Sequence, residues 1–276
     1  MLTMKKTNSV LLSLPYIIWM VVFTLIPLGV VCSYALTDPA TGAFTLENLK
    51  ELGAYWGVLG QSILYSLISA FICLLLGYPV AYFIAHQGKV MQKILYMLVM
   101  LPMCMSFLLR TLAWAGLLQD TGIINDFLEL IGIGRMQLIR TPGAVILGMV
   151  YNYLPYMILP LYAIIVKIDH RLVEAAEDLG CNGLQVFTKV ILPLSVPGIL
   201  SGITMVFVPA VSTFYISQKL GGTDTVLIGD LIEQLFKQGN NANLGAALSL
   251  VLMILVFVCT GIMNRFGADE EGGIIA

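Results

Sequence analysis

The sequence predicts an all-α protein held in a membrane by six spanning helices. Three observations predict it: a shortage of charge, six long apolar runs, and one long polar stretch between the fourth and fifth runs. Of the 276 residues, 59% are apolar and 11% charged, and the mean hydropathy is +0.92. Soluble chains carry about 25% charged residues, so hydrocarbon must be the solvent for much of this surface. A spanning helix needs about 20 mostly apolar residues. Runs that meet this lie at 10–36, 60–85, 94–118, 143–166, 189–217 and 244–264, within a single transmembrane domain covering 1–276.

The first run begins after Lys5 and Lys6, as a signal peptide would, and Ser33-Tyr34-Ala35 is a passable cleavage site. Residues 10–36 far exceed the ~7–15 residues of a signal core, so the run is expected to be retained as a span. Within the runs Pro27, Pro79, Pro102, Pro155, Pro160, Pro197 and Pro209 recur. Bundled membrane helices tolerate proline, and bent spans are expected. Orientation follows from the basic residues. Lys5, Lys6, Lys89, Lys93, Lys167, Arg171, Lys189 and Arg265 fall on one side in short segments. Lys50, Arg135, Arg140, Lys219 and Lys237 fall on the other in longer ones. Both termini are expected in the cytoplasm, in a bacterial inner membrane.

Two outer segments should form short amphipathic helices. Residues 119–142 place Ile123, Ile124, Phe127, Leu128 and Ile131 at helical spacing, and 221–238 do the same with Leu227, Ile228, Leu231, Ile232, Leu235 and Phe236. Their apolar faces are expected mainly to cover the bundle. The acidic end Asp269-Glu270-Glu271 reads as a disordered tail. Cys32, Cys73, Cys104, Cys181 and Cys259 show no metal-ligand spacing and read as small packing residues. The scattered basic residues form no stripe for nucleic acid.

The polar stretch 167–193 is a candidate docking element. Asp169 can cap a short helix, Leu172, Ala175, Ala176 and Leu179 share a face, and Glu174, Glu177 and Asp178 occupy the other. Gly180 can take the left-handed conformation that ends a helix. The alanines allow another surface to approach the helix backbone. Pro193 falls early in the next apolar run, where a missing N–H costs little.

Glu174-Ala175-Ala176, Gly180 and Val190-Ile191-Leu192-Pro193, so spaced, resemble the cytoplasmic EAA signature of ABC import permeases. Val190 stands where that signature usually has isoleucine. LLLGYPVAYFIA (74–85), LPMCMSFLLRTLAW (101–114), YNYLPYMILPLY (151–162) and PAVSTFYISQKLGGTDTVLIGDLI (209–232) resemble the polyamine (spermidine/putrescine) branch of that family. The resemblance implies a type I importer permease fold with a cytoplasmic coupling helix. It also implies a second permease subunit of similar fold, an ATPase dimer that binds ATP and Mg, and an extracellular or periplasmic polyamine-binding protein. The third and fifth spans would line the pathway. The chain has no glycine-rich phosphate loop ending in Gly-Lys-Ser/Thr, so ATP hydrolysis falls to partners, and no cofactor is expected here.

A polyamine crossing a membrane needs acceptors for its charge. Carboxylates are absent from the runs, but Trp114, Tyr151, Tyr153, Tyr156, Phe207, Phe214 and Tyr215 cluster near the outer ends of spans three to five. Aromatic faces contribute about 0.5–2 kcal/mol per cation, which suits passage. For single residues such as Tyr153 and Tyr156 an interfacial belt role is the competing explanation. Asp120, Asp126, Glu129, Asp224, Asp230 and Glu233 can face an outer vestibule, Asp230 and Glu233 being the preferred pair after a Gly-Gly turn. Arg110 lies inside the third run, one to two turns from its expected outer end, and would repel a polyamine. A gate pairing with the partner permease is the favoured explanation; snorkelling, pairing with a carboxylate of an outer loop, or an anionic solute are the alternatives.

The rival readings are the same importer carrying an inorganic anion or ferric ion, and an ion-driven secondary transporter. The second lacks intramembrane acids and any inverted repeat. An intramembrane enzyme lacks every nucleophile or zinc motif, with His86 and His170 at span edges.

Overall fold

The computed structural model describes residues 14–38, 42–223, 225–237 and 241–271. Lys5, Lys6 and Asp224 therefore lie outside the described residues. In chain order the helices are α1 (Leu14–Ala35), α2 (Trp56–Ala85), α3 (Lys89–Met100), α4 (Phe107–Leu118), α5 (Ile123–Leu130) and α6 (Pro142–Ile165). They continue as α7 (His170–Asp178), α8 (Gly183–Leu194), α9 (Val196–Val211), α10 (Tyr215–Leu220), α11 (Ile228–Lys237) and α12 (Ala242–Glu271). The backbone at Asp269-Glu270-Glu271 thus continues α12, where an irregular tail was expected.

Four stretches are straight enough and apolar enough to cross a membrane, and two bent pairs would bring the number to six. The bends correct the expectation of continuous third and fifth spans. α3, with its 3-10 extension Leu101–Cys104, turns by 86° into the helical stretch Phe107–Leu130. Met105 and Ser106 take extended ψ values of 148° and 128°, which no helix accommodates. α8 and α9 meet at 62° across Ser195. Pro193 and Pro197 bracket that residue four apart. Pro197 has no N–H for the Pro193 carbonyl, and its ring crowds that oxygen. α2 and α6, by contrast, run on through Pro79, Pro155 and Pro160.

The described residues form two compact units. One joins residues up to 56 with 232–254. There Ala35, Ala246 and Ala247 pack together, flanked by Val31, Leu49, Leu52 and Leu250. Buried Asn48 donates to the carbonyls of Ala35 (3.1 Å) and Thr37 (3.0 Å). The most apolar window of α1 buries nothing. In hydrocarbon an exposed apolar helix costs little, since lipid tails are as apolar as leucine.

The second unit, 57–231 with 255–271, is organised by α6. Met149, Met157 and Leu161 on that helix are fully buried. Small residues let its neighbours approach. A Cβ at Gly202 of α9 would lie 2.6 Å from Met157 Sδ and 3.3 Å from the Met157 carbonyl oxygen. Gly202→Val should therefore destabilise the α6–α9 contact by about 1–3 kcal/mol, read as a lower thermal midpoint of the solubilised chain. An unchanged midpoint would show that the two helices can separate freely.

Candidate functional site

The polar stretch folds as anticipated at both ends of its helix. Asp169 accepts a hydrogen bond from the Arg171 N–H at 3.0 Å, capping α7. At the other end Gly180 has φ +83°. Its N–H donates to the Glu177 carbonyl (2.8 Å) and that of Cys181 to the Ala176 carbonyl (3.1 Å). This paired turn satisfies carbonyls that a helix end otherwise leaves open. Chain direction then reverses into α8 through a capping box, in which Asn182 and Gln185 each accept the other's backbone N–H at 2.9 and 3.0 Å.

The single apolar face expected of α7 is in fact two. Ala176 turns inward, packing with Val186, Ile191 and the partly buried Val173. Leu172, Ala175 and Leu179 turn outward, and Leu179 is 85% exposed. Steps of three and four residues put those three side chains on one stripe. Glu174, Glu177 and Asp178 are exposed beside it, and Glu174 approaches His170 Nδ1 at 3.4 Å. Leu184, 74% exposed, adds to the outward apolar surface at the start of α8.

Behind this peg lies a linkage that the sequence reading missed. The turn Phe187–Ile191 of α8 is a π-turn. Its Phe187 ring sits edge-on to Tyr78 (5.5 Å) and Tyr82 (5.9 Å) of α2. Tyr78 hydroxyl meets Ser195 Oγ at 2.8 Å, at the bend between α8 and α9, and Ser195 also donates to the Leu192 carbonyl (2.9 Å). Pro193 therefore lies between a π-turn and a bend, in backbone already departing from α-helical pairing, and not in the opening turn of a long span. The available signal was Pro193 and Pro197 on either side of a serine.

Of the residues expected to line a pathway, Arg110 and, through its contact with Phe107, Tyr215 lie at the start of α4. Arg110 is in its first turn, with its backbone N–H on the Ser106 carbonyl (3.1 Å). Eight residues separate it from Leu118, about 12 Å at 1.5 Å per residue. It therefore sits beside the bend, a little over two turns from the far end of α4. The residue is 6% exposed, and among the described residues its Nε and Nη1 have no hydrogen-bond partner. Asn152 Oδ1 on α6 is likewise without one, while Asn152 Nδ2 donates to the Gly148 carbonyl (2.9 Å) and reaches Thr111 Oγ1 at 3.5 Å.

Aromatic rings pair across α4, α6 and α10. Phe107 lies 6.4 Å from Tyr153 and 6.3 Å from Tyr215 of α10, Tyr153 lies 6.3 Å from Tyr156, and Trp114 meets Tyr151 edge-on at 5.3 Å. Tyr153 donates to the Pro209 carbonyl at 3.3 Å. Tyr215 also lies under Lys219 Nζ, 5.7 Å away. Phe214 is 41% exposed, whereas Phe207 is 3% exposed, a packing residue with no open face. Phe107, Thr111 and Asn152 join the group without having been singled out; Asn152 and Thr111 are polar residues within apolar runs, a signal passed over.

The outer carboxylates divide. Asp230 is 2% exposed, and its Oδ2 accepts the Leu227 N–H (3.0 Å) where α11 begins. The neighbouring Ile228 N–H is taken by Ser62 Oγ of α2 at 2.8 Å. Asp230 thus closes a helix start, which corrects its placement in an open vestibule. Glu233 pairs with Lys237 one turn on. Both expected amphipathic helices exist, as α5 and α11. On α5, however, Ile123, Phe127 and Leu130 are exposed, while Asn125 is buried and grips the loop that follows through Met136. The apolar side of α5 is therefore more than a cover for its own bundle. Arg135 holds Glu129 (2.9 Å) and Asp126 (3.2 Å), and the hydrogen bond to Glu129 raises its guanidinium pKa above the ordinary value.

Comparison with known proteins agrees with this architecture. Residues 74–268 match the family described as "Binding-protein-dependent transport system inner membrane component". The chain is 37% identical over 247 residues to the spermidine/putrescine transport system permease protein PotB of Escherichia coli, covering 86% of this chain and 90% of the relative. Haemophilus influenzae PotB is 39% identical, covering 86% of each. Among solved structures, a bacterial ABC transporter involved in import of the acidic polysaccharide alginate superposes with a TM-score of 0.80 at 19% identity, over 96% of both chains. The MetNI methionine ABC transporter in an inward-facing conformation gives 0.60 at 17% identity, over 80% of this chain and 97% of that one. These likenesses show the fold of type I ABC importer permeases, which are transport subunits and not enzymes. The chain belongs to the binding-protein-dependent transport system inner membrane component family and is a PotB-like ABC importer permease.

Proposed function

We propose that this chain forms, as a single permease domain, half of the translocation pathway of an ATP-driven polyamine importer. The observation that carries the reading is the outward stripe Leu172–Ala175–Leu179 on a capped, rigid helix, in a chain similar to spermidine/putrescine permeases over most of its length. Apolar side chains standing in water beside Glu174, Glu177 and Asp178 fit a groove on another protein, which is what a coupling helix requires. The partners are an ATPase dimer that binds ATP and Mg, a second permease subunit of similar fold, and a binding protein on the outer side. Both termini and α7 face the cytoplasm.

ATP-driven closure of the motor would move α7. The Phe187–Tyr78–Ser195 linkage would pass that motion to the bend between α8 and α9, biasing a two-state pore. The aromatic rings near Arg110 would hand a cation along without retaining it. A trivalent polyamine gains about 7 kcal/mol from 100 mV, so closure between cycles is what prevents leak. Reconstitution with candidate partners tests the reading. Spermidine- or putrescine-loaded binding protein should stimulate ATP hydrolysis, and no stimulation by either would reject polyamine transport. Buried Arg110 favours one second reading, the same importer carrying an anion, and stimulation by an anion in that panel would select it.

A further inference from the structure

The structure contains a cavity of about 410 Å³ that the transport reading does not use. It lies where α2 and α6 end, at Ala85 and Ile165, and is flanked by the starts of α3 and α7, open on one side. Lys89, His86, His170 and Gln92 supply its polar wall, Ile165 and Ile191 part of its apolar one, and no carboxylate is among the described residues that line it. Among the described residues no ion pair or hydrogen bond engages the Lys89 side chain. His86 is fixed by its Nδ1 on the Tyr82 carbonyl (2.8 Å) and by a tilted contact with the Tyr82 ring, 4.1 Å between centroids. Gln92 is fixed through its Nε2 on the Ala85 carbonyl (2.8 Å). Two acids adjoin its edge: Glu174, 3.4 Å from His170 Nδ1, and Asp169, between Ile168 and His170, whose carboxylate caps α7.

A lysine cation, two imidazoles and an amide around one space select an anion with several acceptor oxygens. Phosphate is such a group. What attaches to it follows from α3. Beyond the cavity that helix exposes Val90, Met91, Ile94, Met97 and Leu98, while Lys89, Gln92 and Lys93 hold its polar positions. Set at 86° to the helical stretch that follows it, α3 has the amphipathic character of a helix lying in a membrane interface. We infer that this cavity binds the phosphate of an anionic phospholipid at the cytoplasmic surface, with the acyl chains along α3. Basic pockets between spanning helices on that side are suited to such headgroups. Because His170 is the first residue of α7, the site joins the lipid surface to the coupling helix.

The inference rests on the cytoplasmic placement of α7, but its test needs neither motor nor solute. The full-length chain, purified from mixed phosphatidylglycerol and phosphatidylcholine nanodiscs into neutral detergent, is examined by native mass spectrometry for retained lipid. Phosphatidylglycerol should be retained in preference, and Lys89→Gln should lower the preference about fivefold. The H86Q/K89Q/H170Q variant should abolish it. Lys89→Arg should keep it, as should Lys93→Gln, which removes an equal charge outside the cavity. Absence of a preference, persistence in the triple variant, or equal loss in Lys93→Gln would overturn the site. Displacement by excess glycerol 1-phosphate, which lacks acyl chains, would overturn the lipid as occupant. None of these results alters whether the chain transports polyamine.

Discussion

Gly180→Val is expected to lower both ligand-stimulated ATP hydrolysis and uptake about tenfold, with insertion into the membrane unchanged. The cause is backbone geometry and not a clash, since a Cβ at Gly180 would meet nothing within 4 Å. At φ +83° an L residue is strained by about 1–2 kcal/mol, and a β-branched one by more. A cost near 1.4 kcal/mol reduces the population of a local conformation about tenfold. The conformation at stake is the turn that ties Gly180 to Glu177 and Cys181 to Ala176. When it opens, the last turn of α7 frays, and Leu179 leaves its stripe with Leu172 and Ala175.

Gly180→Asn separates geometry from chemistry. Asparagine tolerates the left-handed region, so this variant should retain most of the coupling. Uptake and stimulated hydrolysis are measured together in proteoliposomes, normalised to inserted protein. Wild-type uptake by Gly180→Val would remove the C-terminal turn of α7 from the drive. Equal losses in the asparagine and valine variants would show that side-chain bulk at the docking surface is what matters, and not φ.

That left-handed turn was legible in the sequence because it is local: a glycine after a four-residue apolar step has few other uses. The Asp169 cap and the amphipathic character of α5 and α11 were legible for the same reason. The breaks at Met105–Ser106 and Ser195 were not, because hydropathy registers that a stretch prefers hydrocarbon and is blind to its direction. Nor does a helical wheel state which of two adjacent alanines faces inward. Ala176 is chosen by Val186 and Ile191, which arrive from α8. Asp230 misled for a related reason. An acid after Gly-Gly reads as an exposed loop residue unless it is known that α11 starts at Ile228 and needs its first N–H groups paired. Tyr78 and Ser195 lie 117 positions apart, and neither carries a mark in sequence of meeting the other.

Arg110→Met is expected to change stability and transport in opposite directions, a higher thermal midpoint and about tenfold lower uptake. A guanidinium 6% exposed, with Nε and Nη1 unpaired, is unfavourable as it stands. Replacing a buried ion by an apolar side chain of similar volume is often stabilising by about 1–4 kcal/mol. Methionine fits the length and adds no charge. The loss of uptake follows if the two free donors find an acceptor in the assembled importer, on the second permease or in the other pore state. Such an acceptor is expected if the 86° bend beside Arg110 changes between the two pore states. Arg110→Lys keeps the charge but not the planar fork of donors, and should fall between wild type and methionine. Unfolding of the solubilised chain reads the first effect; polyamine uptake and stimulated ATP hydrolysis with the partners read the second. If Arg110→Met is more stable and transports as well as wild type with unchanged coupling, Arg110 takes no part in a gate. If it is less stable, the guanidinium already has its partner within this chain.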